Sequence, residues 1–138
     1  MSYLDRDTYG MYKPLSGRIT TGPGPALMGA DTLIGEDVRN NAGDDLGDVK
    51  EVMLDMKSGR IAYAVLSFGG VFGIGSKLFA VPWNALRLDT EEKCFRLDVD
   101  SEALEDAPGF DQNSWPSMAD ESWGRSVHKY YKTKPYWE

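Results

Sequence analysis

Cysteine is almost missing from this sequence: Cys94 is the one cysteine in 138 residues. That excludes an internal disulfide and suits a reducing compartment. Histidine is equally scarce. His128 stands alone, so one chain cannot assemble a zinc site from thiolates and imidazoles without carboxylates or a second copy. Long hydrophobic runs are lacking too. The longest mainly apolar stretch, Ile61–Phe68, is far short of the roughly 20 residues of a membrane-spanning helix. Met1-Ser2-Tyr3-Leu4-Asp5-Arg6-Asp7 has no apolar core of a secretory signal, and no Asn-x-Ser/Thr glycosylation acceptor occurs. A cytoplasmic protein without membrane insertion is expected. Positive charge is in deficit, with 15 Lys and Arg against 22 Asp and Glu and a net charge of −7. An acidic surface repels phosphate backbones and anionic lipid, so nucleic acid is an unfavoured partner.

What is present is 41% hydrophobic residues, enough for one core. Residues 1–29 read as a flexible arm. Thr21-Gly22-Pro23-Gly24-Pro25 breaks regular structure, although Tyr3, Tyr9, Met11 and Tyr12 are able to dock. Residues 30–100 read as the core domain. Leu33-Ile34-Gly35-Glu36-Asp37-Val38 predicts a first strand, and Asn40-Asn41-Ala42-Gly43-Asp44-Asp45 a turn. The stretch 46–56 predicts a second strand with Val52, Leu54 and Met56 on one face. Lys57-Ser58-Gly59-Arg60 predicts a hairpin turn with Gly59 left-handed. Residues 61–68 are apolar on both faces, as in a central strand. Residues 79–83 and 85–88 are further strands, with Pro82 confined to an edge or a strand end. In Cys94-Phe95-Arg96-Leu97-Asp98-Val99 the alternation points Phe95, Leu97 and Val99 inward. Several short strands with tight turns predict a small barrel or sandwich.

Residues 101–138 read as a C-terminal extension. Ser101 to Ala107 predicts a helical turn. A second helix is expected around 118–131, with Ser117 as N-cap and Asp120 three residues on. Trp123, Val127, Tyr130 and Tyr131 fall on one helical stripe. Arg125, Lys129 and Lys132 lie toward the other side, near the end where cations suit the helix dipole.

Two segments carry a resemblance to a known family. One is Leu33-Ile34-Gly35-Glu36-Asp37-Val38-Arg39-Asn40 with Leu46-Gly47-Asp48-Val49 and Leu54-Asp55. The other is Gly59-Arg60-Ile61-Ala62-Tyr63-Ala64-Val65-Leu66-Ser67-Phe68-Gly69-Gly70 with Gly73-Ile74-Gly75-Ser76-Lys77-Leu78-Phe79-Ala80-Val81-Pro82-Trp83. Together they resemble a PRC-barrel domain. That family takes in the cytoplasmic domain of the photosynthetic reaction-centre H subunit and the C-terminal domain of a ribosome-maturation factor. Stand-alone bacterial versions exist, and the tail from Pro108 to Tyr131 resembles their C-terminal extension. The resemblance implies a mainly β protein, a small PRC-type β-barrel with a short C-terminal α-helical extension, which binds other macromolecules and has no known catalysis. This chain lacks both the H subunit's membrane helix and the maturation factor's RNA-processing domain, so neither specific role transfers.

The residues themselves offer little chemistry. In Gly70-Val71-Phe72-Gly73-Ile74-Gly75-Ser76-Lys77 the serine precedes the lysine and a strand follows, so this is no phosphate loop. It reads as a strand connection presenting apolar side chains. Asp44, Asp45 and Asp48 do not follow the calcium-loop order. Ser67 lacks the flanking glycine of a nucleophile elbow, because Val65 stands there. His128 is expected to pack on or beside its helix, and Cys94 to be a small strand residue. No catalytic residue, metal or cofactor is expected. The candidate partner contacts are Phe68, Gly70, Val71, Phe72, Gly73, Ile74 and Lys77 in the loop, and Trp123, Tyr130 and Tyr131 in the tail. The expected role is a non-catalytic protein-interaction module that self-associates, a homodimer being favoured. Two alternatives stand beside it. One is an accessory of ribosome or RNA maturation or of a photosynthetic electron-transfer complex. The other is a small-molecule or ion binder.

Overall fold

The computed structural model describes residues 3–12, 24–68 and 77–138. The loop contacts Gly70, Val71, Phe72, Gly73 and Ile74 lie outside the described residues. Six strands form one sheet: β1 (Asp37–Arg39), β2 (Asp45–Leu54), β3 (Ile61–Phe68), β4 (Lys77–Pro82), β5 (Leu86–Asp89) and β6 (Cys94–Leu97), in the order β4-β3-β2-β1-β6-β5. Neighbours are antiparallel except β1 and β6, where Val38 sits opposite Phe95 in a parallel pair. The sheet curls around its own apolar face. Among the described residues four short α-helices accompany it: α1 (Tyr3–Arg6), α2 (Ala30–Leu33), α3 (Ser101–Asp106) and α4 (Glu121–Tyr130).

The apolar runs sort into two layers. Val38, Leu46, Val49, Leu66, Phe79, Phe95 and Leu97 fill the inside of the curl, and Leu104 of α3 joins them at 0% exposure. Each such side chain contributes about 1.5–3 kcal/mol by leaving water. On the other side of β3 and β4, Tyr63 and Ala80 pack with Val127 of α4, and Trp123 and Tyr136 close over them. That explains why 61–68 is apolar on both faces: one faces the core, the other is roofed by the C-terminal extension. Pro82 is the last residue of β4, at the sheet edge, where its missing N–H breaks no ladder. The edge is partly covered. Leu78 N–H donates to the Phe110 carbonyl (2.9 Å) and Phe110 N–H to the Leu78 carbonyl (2.8 Å).

Three expectations differ from what forms. Leu33 and Ile34 are not strand. Leu33 closes α2, and Gly35 at φ +94° turns the chain before β1 begins at Asp37. Leu54 and Met56 do not face the core with Val52; they are 53% and 87% exposed. Register shifts between Val49 and Glu51 and between Met53 and Leu54 change which face each side chain takes. Finally, α4 starts at Glu121 with Asp120, not Ser117, as N-cap: the Asp120 carboxylate accepts from Ser122 N–H at 2.9 Å. Aspartate caps as well as serine does, and it lies next to the first helical residue.

Two local features hold the sheet in shape. Gly47 lies in β2 at φ +109°, with the Ser67 carbonyl oxygen only 2.0 Å from where a Cβ would be. No other residue permits β2 and β3 to approach that closely. The second is a buried ionic contact. Glu36, at 2% exposure, receives Arg6 Nη2 at 2.6 Å and the Tyr12 hydroxyl. Asp7 accepts from Tyr12 N–H at 3.0 Å. Burial, then the hydrogen bond to Glu36, pushes the Tyr12 hydroxyl far above its usual titration range. Residues 3–12 are thus joined to the start of β1 through a carboxylate inside the protein.

Candidate functional site

The C-terminal extension supplies the most conspicuous surface. Gly124, Val127 and His128 form the buried face of α4. A glycine inside a helix costs about 1 kcal/mol against alanine, and here its reason is packing. A Cβ at Gly124 would meet the Trp137 ring at 2.9 Å and the Tyr63 hydroxyl oxygen at 3.0 Å. His128 is fully buried among Tyr63, Tyr136 and Trp137, with ring centroids 5.4, 5.9 and 5.4 Å away. Its Nδ1 lies 2.7 Å from the Gly124 carbonyl, and Tyr136 N–H donates to its Nε2 at 3.2 Å. With Nε2 accepting from Tyr136 and Nδ1 against the Gly124 carbonyl, the ring pins the tail to the helix through both nitrogens. Both nitrogens are used, and none is left for a substrate.

The tail is also tied to the β2–β3 hairpin. Arg60 Nη1 donates to the Tyr136 carbonyl (2.8 Å), and the Tyr136 hydroxyl to Asp55 Oδ2 (3.0 Å). Lys57 N–H, the Tyr136 hydroxyl and Ser58 N–H hold the Asp55 carboxyl below its usual value of 3.8. A lowered folded-state value favours folding above the unfolded carboxylate range and ceases to do so as pH falls through the folded value. The Asp55→Asn variant should therefore melt earlier than wild type at pH 7, and the two melting curves should converge as pH drops below the usual carboxylate value. A gap that persists unchanged into acid would mean that ionisation of Asp55 is not the cause.

The expected contact residues fall into separate places. Phe68 is half-buried at the end of β3, paired in register with Lys77, which is exposed with its ammonium 5.7 Å from the Phe79 ring centroid. Trp123 packs edge-on against Tyr63 at 5.3 Å, within the roof. Tyr130 and Tyr131 stand together, centroids 5.2 Å apart, and the Tyr130 hydroxyl donates to the Ala103 carbonyl of α3. They line an open cleft of about 580 Å³ where the start of α3 and the end of α4 meet the 40–42 turn, with Asn41, Asp98, Asp100 and Lys132 on its walls. The size suits a small ligand or an inserted side chain. Cys94 is 1% exposed in β6, and burial raises its thiol. Among the described residues no His, Cys, Asp and Glu group is placed to hold a metal ion. No described helix is long and apolar enough to cross a membrane.

Sequence reasoning missed two functional-looking features. The buried Glu36 had little signal, since it stands between Gly35 and Asp37 like any exposed turn acid. Gly124 had one, a lone glycine in a helical pattern. Neither revealed its partner, because Arg6 and Trp137 are distant along the chain.

One comparison with known proteins agrees with this architecture. A family model described as PRC-barrel domain matches residues 26–104. No curated protein matches the chain. Among solved structures there is a likeness to a protein described as 16S ribosomal RNA processing protein RimM from Pseudomonas aeruginosa. It is 16% identical, with a TM-score of 0.34, over 51% of this chain and 42% of that one. The alignment thus spans less than half of the RimM chain.

Proposed function

This chain belongs to the PRC-barrel domain family, and from that premise we propose that it is a non-catalytic protein-interaction module whose favoured partner is a second copy of itself. The observation that carries this reading is the cleft where the start of α3 and the end of α4 meet the 40–42 turn. It brings Tyr130 to the surface beside charged walls, with Tyr131 packed inward beneath it, while His128 and Cys94 are buried in structural roles. A tyrosine at a rim of charged residues fits the composition of a protein contact. In this reading residues 30–100 are the scaffold, 101–138 the contact surface and 1–29 an arm. The strand connection with Phe68, Gly70, Val71, Phe72, Gly73, Ile74 and Lys77 is a further contact, and the cytoplasm is the compartment.

Sedimentation velocity tests it. The mass of the 15.3 kDa chain should climb toward twice that value as concentration rises through the micromolar range. A monomer at every concentration would remove self-association. Turnover abolished by changing Ser67, Cys94 or His128 would remove the non-catalytic half.

A further inference from the structure

We propose that a second copy docks on the face shared by α3 and α4, each copy setting the basic stretch at the end of its α4 against the other's acidic α3 stripe. This rests on the self-association just proposed and names its surface. Arg125 and Lys129 lie on α4 at i and i+4, and with Lys132 and Lys134, which follow the helix end, they line a shallow groove of about 510 Å³. From Arg125 to Trp137 there are four bases and no acid, whereas the other 11 bases face all 22 acids. Arg125 is engaged by Glu138 at 2.8 Å. Lys129, Lys132 and Lys134 are in no ion pair among the described residues.

The complement lies next door. Glu102, Glu105 and Asp106 sit at i, i+3 and i+4 on α3, all exposed and none in an ion pair. The two helices touch through the Tyr130 hydroxyl and the Ala103 carbonyl, yet their acids and bases do not meet within one molecule. Lys132 lines both the basic groove and the cleft whose other wall holds Asp98 and Asp100. Lys132 and the Asp98 and Asp100 wall are therefore displayed across one cleft, with Tyr130 at its edge. A surface with a single sign fits a foreign ligand; adjacent patches of opposite sign fit themselves. A two-fold axis near Tyr130 pairs both patches at once, giving an isologous contact. A long polyanion is disfavoured, because it would have to run from the groove onto the acidic α3 surface. Exposed ion pairs are individually weak and screened by salt, so Tyr130 supplies the water-excluding centre and the charges set orientation.

A charge swap decides the matter. E102K/E105K and K129E/K132E alter only exposed side chains, and circular dichroism should show both variants folded. Each alone should self-associate at least roughly tenfold more weakly than wild type, since two of the charges on the altered surface then repel their partners. Mixed in equal amounts, the two should recover wild-type association as a heterodimer, and added salt should weaken it. If wild type is monomeric throughout, both this surface and self-association fall. If wild type dimerises and neither variant weakens it, self-association stands and this surface falls. If both variants weaken but the mixture does not recover, complementary pairing falls. A short RNA bound by wild type and lost in K129E/K132E, with unchanged association, would assign the groove to nucleic acid instead.

Discussion

Replacing Arg6 by alanine is expected to destabilise the fold by about 3–5 kcal/mol, because it strands the Glu36 carboxylate inside the protein. Both side chains are nearly inaccessible, 7% for Arg6 and 2% for Glu36, so water screens the pair little and cannot take the guanidinium's place. In a chain of this size the melting temperature should fall by roughly 10 °C. Tyr12→Phe removes only a hydroxyl from the same carboxylate and should cost about 1–3 kcal/mol. The double replacement Arg6→Met with Glu36→Leu should recover much of the loss, since an apolar pair of similar volume avoids the desolvation of two charges. Urea denaturation checks all three. If Arg6→Ala shifts stability by less than about 1 kcal/mol, the carboxylate is satisfied by something else and the contact is not a lock.

Gly47→Ala is expected to cost at least about 3 kcal/mol, through strain of its left-handed backbone and collision with β3 together. The colliding atom is the Ser67 carbonyl oxygen, backbone that is itself held in the sheet, so it cannot swing aside as a side-chain tip would. Gly59 is the internal control. It has φ +78° in the hairpin turn but nothing within 4 Å of a Cβ, so Gly59→Ala pays for backbone conformation alone, about 1 kcal/mol. The difference between the two midpoints measures the close approach itself. Equal losses would show that β2 and β3 part at that point without penalty.

How much of this was legible from the residues follows from the range of each interaction. Period-two alternation within one strand is a local signal, so β3, the hairpin at Gly59 and the inward Phe95 and Leu97 could be placed in advance. The double-sided apolarity of 61–68 announced two covering layers, though not that the second would be α4. Failures came where one residue changes the phase. Two irregularities in β2 turned Leu54 outward, and periodicity counted by eye runs straight through a bulge. At α4 the capping pattern placed the start at Ser117, but the helix begins one turn later behind Asp120, a residue that caps equally well. The contact surface was the least legible part. Tyr130 and Tyr131 belonged to the expected aromatic stripe, yet that stripe splits: Trp123 faces the roof and Tyr130 the cleft. The acidic stripe on α3 carried no motif, and its closeness to α4 is a tertiary fact.

The short bridge between Leu78 and Phe110 has a consequence beyond packing. An outermost strand with free amides and carbonyls is a template on which other chains can grow into fibrils. Along β4, outward-pointing groups recur at every second residue. Leu78 has spent its pair on Phe110, and Pro82, two steps beyond Ala80, has no N–H to offer. Among the described residues of β4 only the rung at Ala80 remains complete, and one rung is too few to seed runaway aggregation from that margin.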